Sequence, residues 1–176
     1  MSILEKGKRE KSNMDITMRL AIPTDTLDMA EIHMRSWEVA YKDIIPMEYI
    51  QEKNKTRLAL YKRIIKDDNT TQYVIQNDGN TVGIMSIDPL PQDDDAIDNM
   101  CELASIYLHP NYFRQGIGTK AMEFVCNIAR EWKKTIMIVW VFAENTNSIE
   151  FYEKCGFIAD GSIKHIHVVK SWNVLE

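Results

Sequence analysis

A strand that runs into a glycine-gated helix constrains this chain more than any other stretch. Cys101 to Leu108 (CELASIYL) is an apolar, β-capable run, and it stops at His109-Pro110 because proline biases its predecessor away from helical dihedrals. Arg114-Gln115-Gly116-Ile117-Gly118 follows, and from Ile117 the apolar positions Ala121, Met122, Val125, Ile128 and Ala129 recur at three- and four-residue spacing to about Trp132. The spacing predicts an amphipathic helix that opens on glycines. Glycine admits backbone dihedrals closed to other residues and lets N–H groups approach a ligand, while the first helical turn presents unpaired donors at the positive end of the dipole. An anion belongs at such a place, and Arg114 and Lys120 add charge suited to a pyrophosphate.

Glycines before a helix often make only a tight turn, so the pattern needs support from elsewhere. One rival is a dinucleotide fold, because Gly116 to Ala121 fits G-x-G-x-x-A and Glu144 follows the next strand as a ribose-binding acid would. Against it, the seven residues His109 to Gln115 separate the first glycine from the strand end, and no succession of βα units surrounds the motif. The deciding stretch comes after a further strand, Thr135 to Phe142: Asn145-Thr146-Asn147-Ser148-Ile149-Glu150-Phe151-Tyr152-Glu153-Lys154-Cys155-Gly156-Phe157. With the glycine loop, this resembles the GNAT-type N-acetyltransferases, in which an acetyl-CoA loop Arg/Gln-x-x-Gly-x-Gly/Ala precedes a helix reading Asn-x-x-Ala-x-x-Phe-Tyr-x-Lys-x-Gly-Phe. Asn145, Ser148, Phe151, Tyr152, Lys154, Gly156 and Phe157 fall in register, with Ser148 in place of alanine, and HMRSWEVAYKDIIP is similar to the first helices of small bacterial members. The likeness covers about Ile16 to Trp172. It departs at Phe113, where the family has Arg or Gln and where only the backbone N–H keeps its contact.

Composition narrows the classes further. The chain has 176 residues, 45% hydrophobic and 27% charged, which suits one domain with a real core. A net charge of -5 argues against nucleic acid as the main partner. Cys101, Cys126 and Cys155 are odd in number and lack C-x-x-C spacing, so neither a disulfide framework nor a zinc cluster is indicated and a reduced cytoplasm is the expected setting. No apolar run reaches the roughly 18 residues of a membrane span, and MSILEKGKREKSN lacks the core of a signal peptide. Residues 1–14 read as a charged, flexible tail or an appended extension, and 15–176 as a single domain.

Along that domain, Ile16 to Ile22 is a predicted strand, Pro23-Thr24-Asp25 a turn with an N-cap, and Leu27 to about Tyr41 a helix. Helical stretches Met47 to Asn54 and Lys55 to Lys66 precede two strands, Thr71 to Gln76 and Thr81 to Ile87, whose Asp78-Gly79 link signals a hairpin. An acidic loop, Pro89 to Asn99, leads to the Cys101 strand, and a last strand is expected from Ile163. The order predicts an α+β domain. The resemblance implies a mixed, mostly antiparallel β-sheet flanked by α-helices, with its last strand continuing beyond Glu176.

Forming an amide from an amine and a thioester requires a neutral nucleophile, a polarised carbonyl and a protonated leaving thiol. A lysine-like amine titrates near 10.4, so keeping it neutral at pH 7 costs about 4.6 kcal/mol, and a base is useful. Strict alternation puts Glu102, Ala104, Ile106 and Leu108 on one face of their strand, and the resemblance implies Glu102 as base in members that use a glutamate. It further implies Tyr152 as the acid for the thiol and Asn145 as a cofactor contact, although Asn145 also suits an N-cap. The backbone of Ile106, Tyr107 and Leu108 would hold the pantetheine arm like an added strand, and Arg114, Gln115, Gly116, Ile117, Gly118 and Thr119 would hold the pyrophosphate.

His33, Trp37 and Tyr41 fall on one helical face and read either as core or as an acceptor pocket wall. His165 and His167 share a strand face, but no nearby cysteine or acid cluster makes a metal site of them, and no metal is implied. The expected partners are therefore acetyl-CoA and a primary amine, with neither nucleic acid nor membrane, and a homodimer is left open. Four acids in Gln92 to Asp98 favour a small cationic acceptor such as a polyamine or aminoglycoside. A protein or peptide amine, and a non-catalytic acyl-CoA sensor, remain as alternatives.

Overall fold

Four consecutive antiparallel strands and one parallel strand form the sheet on which every helix depends. The computed structural model describes residues 14–66, 71–91 and 96–164. The expected tail (apart from Met14), the acids Asp93, Asp94 and Asp95, and His165 and His167 lie outside them. In chain order the elements are β1 (Ile16–Leu20), α1 (Thr26–Ala40), α2 (Met47–Asn54), α3 (Arg57–Ile64), β2 (Gln72–Asn77), β3 (Asn80–Asp88), β4 (Met100–Leu108), α4 (Ile117–Glu131), β5 (Ile136–Ile138) and α5 (Thr146–Lys154). The sheet order is β1-β2-β3-β4-β5, with only β4 and β5 parallel. The domain is thus α+β, with a mixed, mostly antiparallel sheet.

Local chemistry explains the turns. Asp78 and Gly79 both take left-handed dihedrals, φ 49° and 79°, as a two-residue hairpin between right-twisted strands requires. Asp25 ends a short 3-10 turn ahead of α1, but its side chain does not cap that helix. Its carboxylate accepts from Arg19 Nη1 and Nη2 at 2.7 and 2.8 Å and from the Ile22 N–H at 2.8 Å, tying the helix entrance to β1. Burial alone would raise the Asp25 pKa; these hydrogen bonds outweigh it and hold the carboxyl below its usual range.

Two apolar clusters cover the two faces of the sheet. On one, Ile117, Ala121, Met122, Val125, Ile128 and Ala129 of α4 pack on Ile75, Met85, Ile87, Cys101 and Leu103. On the other, Met29, Ala30 and Ile32 of α1 and Tyr61 of α3 pack on Val74 and Ile84. The recurrence predicted from Ile117 therefore marks the buried stripe of α4.

β4 breaks the simple alternation. Ser86 pairs with Ser105 and Ile87 with Leu103, so Ala104 is an extra residue, a β-bulge, with no partner on β3. The expectation that Glu102 shares a face with Ile106 and Leu108 is corrected by this one residue. Cys101, Leu103, Ile106 and Leu108 face α4, whereas Glu102 falls on the α1 face with Ser105 and Tyr107. A bulge also bends its strand. β5 pairs with β4 only through Met100–Ile136, Cys101–Met137 and Glu102–Ile138, so the strand expected over Thr135 to Phe142 is cut to three residues. Ile163 and Lys164 belong to no strand, and the rest of the expected last strand lies outside the described residues.

Candidate active site

Beyond Glu102, β4 runs on to Leu108 paired with β3, while its other edge has no strand partner among the described residues. Backbone groups of Ile106, Tyr107 and Leu108 therefore include a row that an extended ligand can meet as a strand would. At the end of that edge stands α4. Gly116 is its N-cap at φ 80°, a conformation that favours glycine, and it offers no side chain to cap the first turn. A Cβ at Gly116 would meet nothing within 4 Å, so the space above the helix end is open. Arg114, also left-handed at φ 59°, donates from Nη2 to Asn147 Oδ1 at 2.9 Å, joining the loop to the first turn of α5. Gln115 is turned back into its own loop, donating to the Asn111 carbonyl at 2.8 Å. An open strand edge ending at bare helical N–H groups suits a ligand with an extended amide arm and a phosphate end, which coenzyme A is.

Gly118 has a second task that spacing does not reveal. A Cβ there would approach the Phe151 ring at 3.2 Å, so its bareness also lets α5 lie against α4. Asn145 is buried, and its Oδ1 accepts from the Ser148 N–H at 3.2 Å as the N-cap of α5. Phe151 and Tyr152 both reach the α4-side core, with the Tyr152 ring also packed on Phe157. Burial, with the neighbouring Tyr107 hydroxyl, pushes the Tyr152 pKa upward, so the phenol holds its proton and is a donor at neutral pH. Glu102 lies on the last rung where β4 and β5 meet, facing the α1 side.

The helical stripe His33, Trp37 and Tyr41 turns toward that same face. The His33 ring stacks on Tyr107 at 4.5 Å, Tyr41 meets Phe142 edge-on at 5.3 Å, and Trp37 joins His33 to Tyr41. His33 Nδ1 lies 2.7 Å from the Tyr61 hydroxyl. Burial and the nearby Arg57 charge hold the imidazole pKa down to about 3, so the ring is neutral. The structure adds Arg57, which sequence reasoning passed over: it is buried, and its guanidinium lies 4.2 Å over the Trp37 ring. The one hint was its place four residues before Tyr61, on the stripe that α3 turns inward.

Comparison with known proteins agrees with this geometry. Residues 27–157 match the model of the Acetyltransferase (GNAT) family. Among curated relatives, an uncharacterised N-acetyltransferase of Methanocaldococcus jannaschii is 26% identical over 156 residues, 89% of this chain and 64% of the relative, so the chain spans under two thirds of that protein's length. The uncharacterised N-acetyltransferase YuaI of Bacillus subtilis is 29% identical over 143 residues, 78% of each chain. Among solved structures, the PaiA N-acetyltransferase of Thermoplasma acidophilum in complex with coenzyme A superposes with a TM-score of 0.73 at 22% identity, covering 85% of this chain and 94% of that one. With the family model spanning most of the chain, and the glycine loop, the open β4 edge and the Asn145 to Phe157 motif in place, this protein belongs to the GNAT family of acetyltransferases.

Proposed function

We propose that the chain is an N-acetyltransferase that moves an acetyl group from acetyl-CoA to a primary amine by direct transfer in a ternary complex. The observation that carries this reading is the edge of β4 beyond Glu102, without a strand partner among the described residues, which leads to the bare N-terminus of α4, with a protonated Tyr152 close to Tyr107 of the same strand. Acetyl-CoA, when bound, supplies the thioester. The main chain of Ile106, Tyr107 and Leu108 holds the pantetheine arm, and the N–H groups from Arg114 to Thr119 receive the pyrophosphate. Glu102 accepts the proton of the attacking amine, directly or through water, and Tyr152 donates to the departing sulfur. Asn145 acts through α5, by fixing the turn that carries Tyr152.

The acceptor enters on the α1 side, past His33, Trp37 and Tyr41. A small cationic amine such as a polyamine or aminoglycoside is the acceptor that the acidic residues 92–98 would steer, and protein or peptide amines are the alternative. The buried Arg57 weighs against a polycation. Free thiol release, followed with a panel of primary amines and acetyl-CoA, tests the whole reading. Release that depends on an amine supports it; tight acetyl-CoA binding with no release for any amine would make the protein a sensor instead.

A further inference from the structure

Arg57 is a buried cation with its best hydrogen-bonding edge unused. The residue is 8% exposed, and Nε and Nη2 are both buried without a partner among the described residues. These two nitrogens form one side of the guanidinium fork, the edge whose parallel N–H groups match the two oxygens of a carboxylate. Stacking on Trp37 offsets part of the cost of burying the charge but satisfies neither N–H. No carboxylate of the described residues pairs with it.

A second orphan lies beside it. When Tyr61 donates to His33 Nδ1, the neutral ring carries its proton on Nε2, and that nitrogen too is buried without an acceptor. Trp37 Nε1 is turned toward the Tyr107 hydroxyl, so its single N–H is directed there. Native interiors rarely leave such groups unpaired, and the donors of Arg57 and His33 beside one aromatic stack suit an acceptor group brought by a ligand. The stack touches Tyr107, which shares its face of β4 with Glu102.

We propose that Arg57, with His33 Nε2 at its side, is an anion subsite of the acceptor pocket, and that the acceptor is a primary amine bearing its own carboxylate. One guanidinium beside a neutral imidazole supplies a single positive charge. That balances a carboxylate, whereas a phosphate monoester near two negative charges would be left in excess. The inference rests on the N-acetyltransferase reading and narrows its acceptor, because a polyamine has no group for this fork.

The test compares amines that differ only in that group. Glycine, β-alanine, γ-aminobutyrate and a set of L-amino acids and dipeptides are assayed for CoA release against their carboxamides. An amide's neighbouring amine is less basic and more often neutral, so any preference for the acid runs against intrinsic reactivity. The wild type is expected to favour at least one acid over its amide by about tenfold or more in kcat/KM, chiefly through KM. Arg57→Gln should erase that preference, bringing kcat/KM for the acid down to that for its amide, and Arg57→Lys should restore only part of it. Equal use of acid and amide by the wild type overturns the proposal, whether or not the variants fold. If no amine of either kind is turned over, the acetyltransferase reading is what has failed. Calorimetry with N-acetylated acids and their amides then decides the subsite: acid-selective binding lost in Arg57→Gln upholds it, and no binding or equal binding refutes it.

Discussion

Glu102 and Tyr152 differ in what their removal should do to the pH profile. A free amine becomes reactive only as it loses its proton, so without a base the rate climbs about tenfold per pH unit toward the amine pKa near 10.4. Glu102→Gln is therefore expected to lower kcat/KM by about a hundredfold at pH 7, with the deficit narrowing as pH rises. A deficit that stays constant from pH 6.5 to 9.5 would remove Glu102 from the role of base. Tyr152→Phe keeps the ring that packs on Phe157 and deletes only the donor. Its kcat should fall by about tenfold to a hundredfold while acetyl-CoA affinity by calorimetry changes little. The Tyr152 position was legible in the sequence because motif and structure are both local there: Asn145, Phe151 and Tyr152 lie within one turn-helix unit. Arg57 was not legible in that way. Its burial arises from α3 packing on α1, and its one mark along the chain is the four-residue spacing to Tyr61.

Elements that were correctly placed still carried unexpected duties. The glycine loop ahead of α4 was expected to serve the ligand, and Gly116 with its open surroundings fits that, but Gly118 faces the Phe151 ring. Gly118→Ala should accordingly cost about 1–3 kcal/mol in thermal or denaturant unfolding, by overpacking the contact between α4 and α5. Gly116→Ala has no such contact to crowd; it costs only the strain of a left-handed residue, about 1 kcal/mol. A Gly118→Ala variant as stable as Gly116→Ala would show that α5 yields easily. Helices α1 and α4 were readable because burial follows a 3.6-residue period over four turns, whereas β5 was overread. Thr135 to Phe142 has the β-branched and aromatic content of a long strand, yet pairing, not propensity, decides where a strand ends, and β4 offers a partner for only three residues.

At the scale of the whole molecule, the sheet divides a core under α4 built mainly of aliphatic side chains from a mixed one under α1, where neutral His33 sits between Tyr61 and Tyr107. That placement couples folding to pH. The unfolded chain binds a proton at His33 below about 6.5, while the folded ring resists protonation down to about 3. Between those values the unfolded state holds more protons, so stability falls as pH falls, by at most about 1.4 kcal/mol per unit from this residue. Denaturant unfolding of the wild type between pH 6.5 and 5, above most carboxylate titrations, should show this slope, and His33→Gln should lose it. An unchanged slope in the variant would mean that the ring is protonated in the fold.

The bulge at Ala104 connects these scales. An extra residue on a strand resets the phase of everything before it, so deleting Ala104 would leave Glu102 and Tyr107 facing α1 and Leu103 and Ile106 facing α4, as they do now. What would change is the path of the chain: without the extra residue β4 would lose the bend that a bulge imposes. Glu102 would keep its orientation while the strand beyond it took another course. The facing of Glu102 and Tyr107 and the course of the β4 edge, which the fold delivers together, are thus separable by a single alanine.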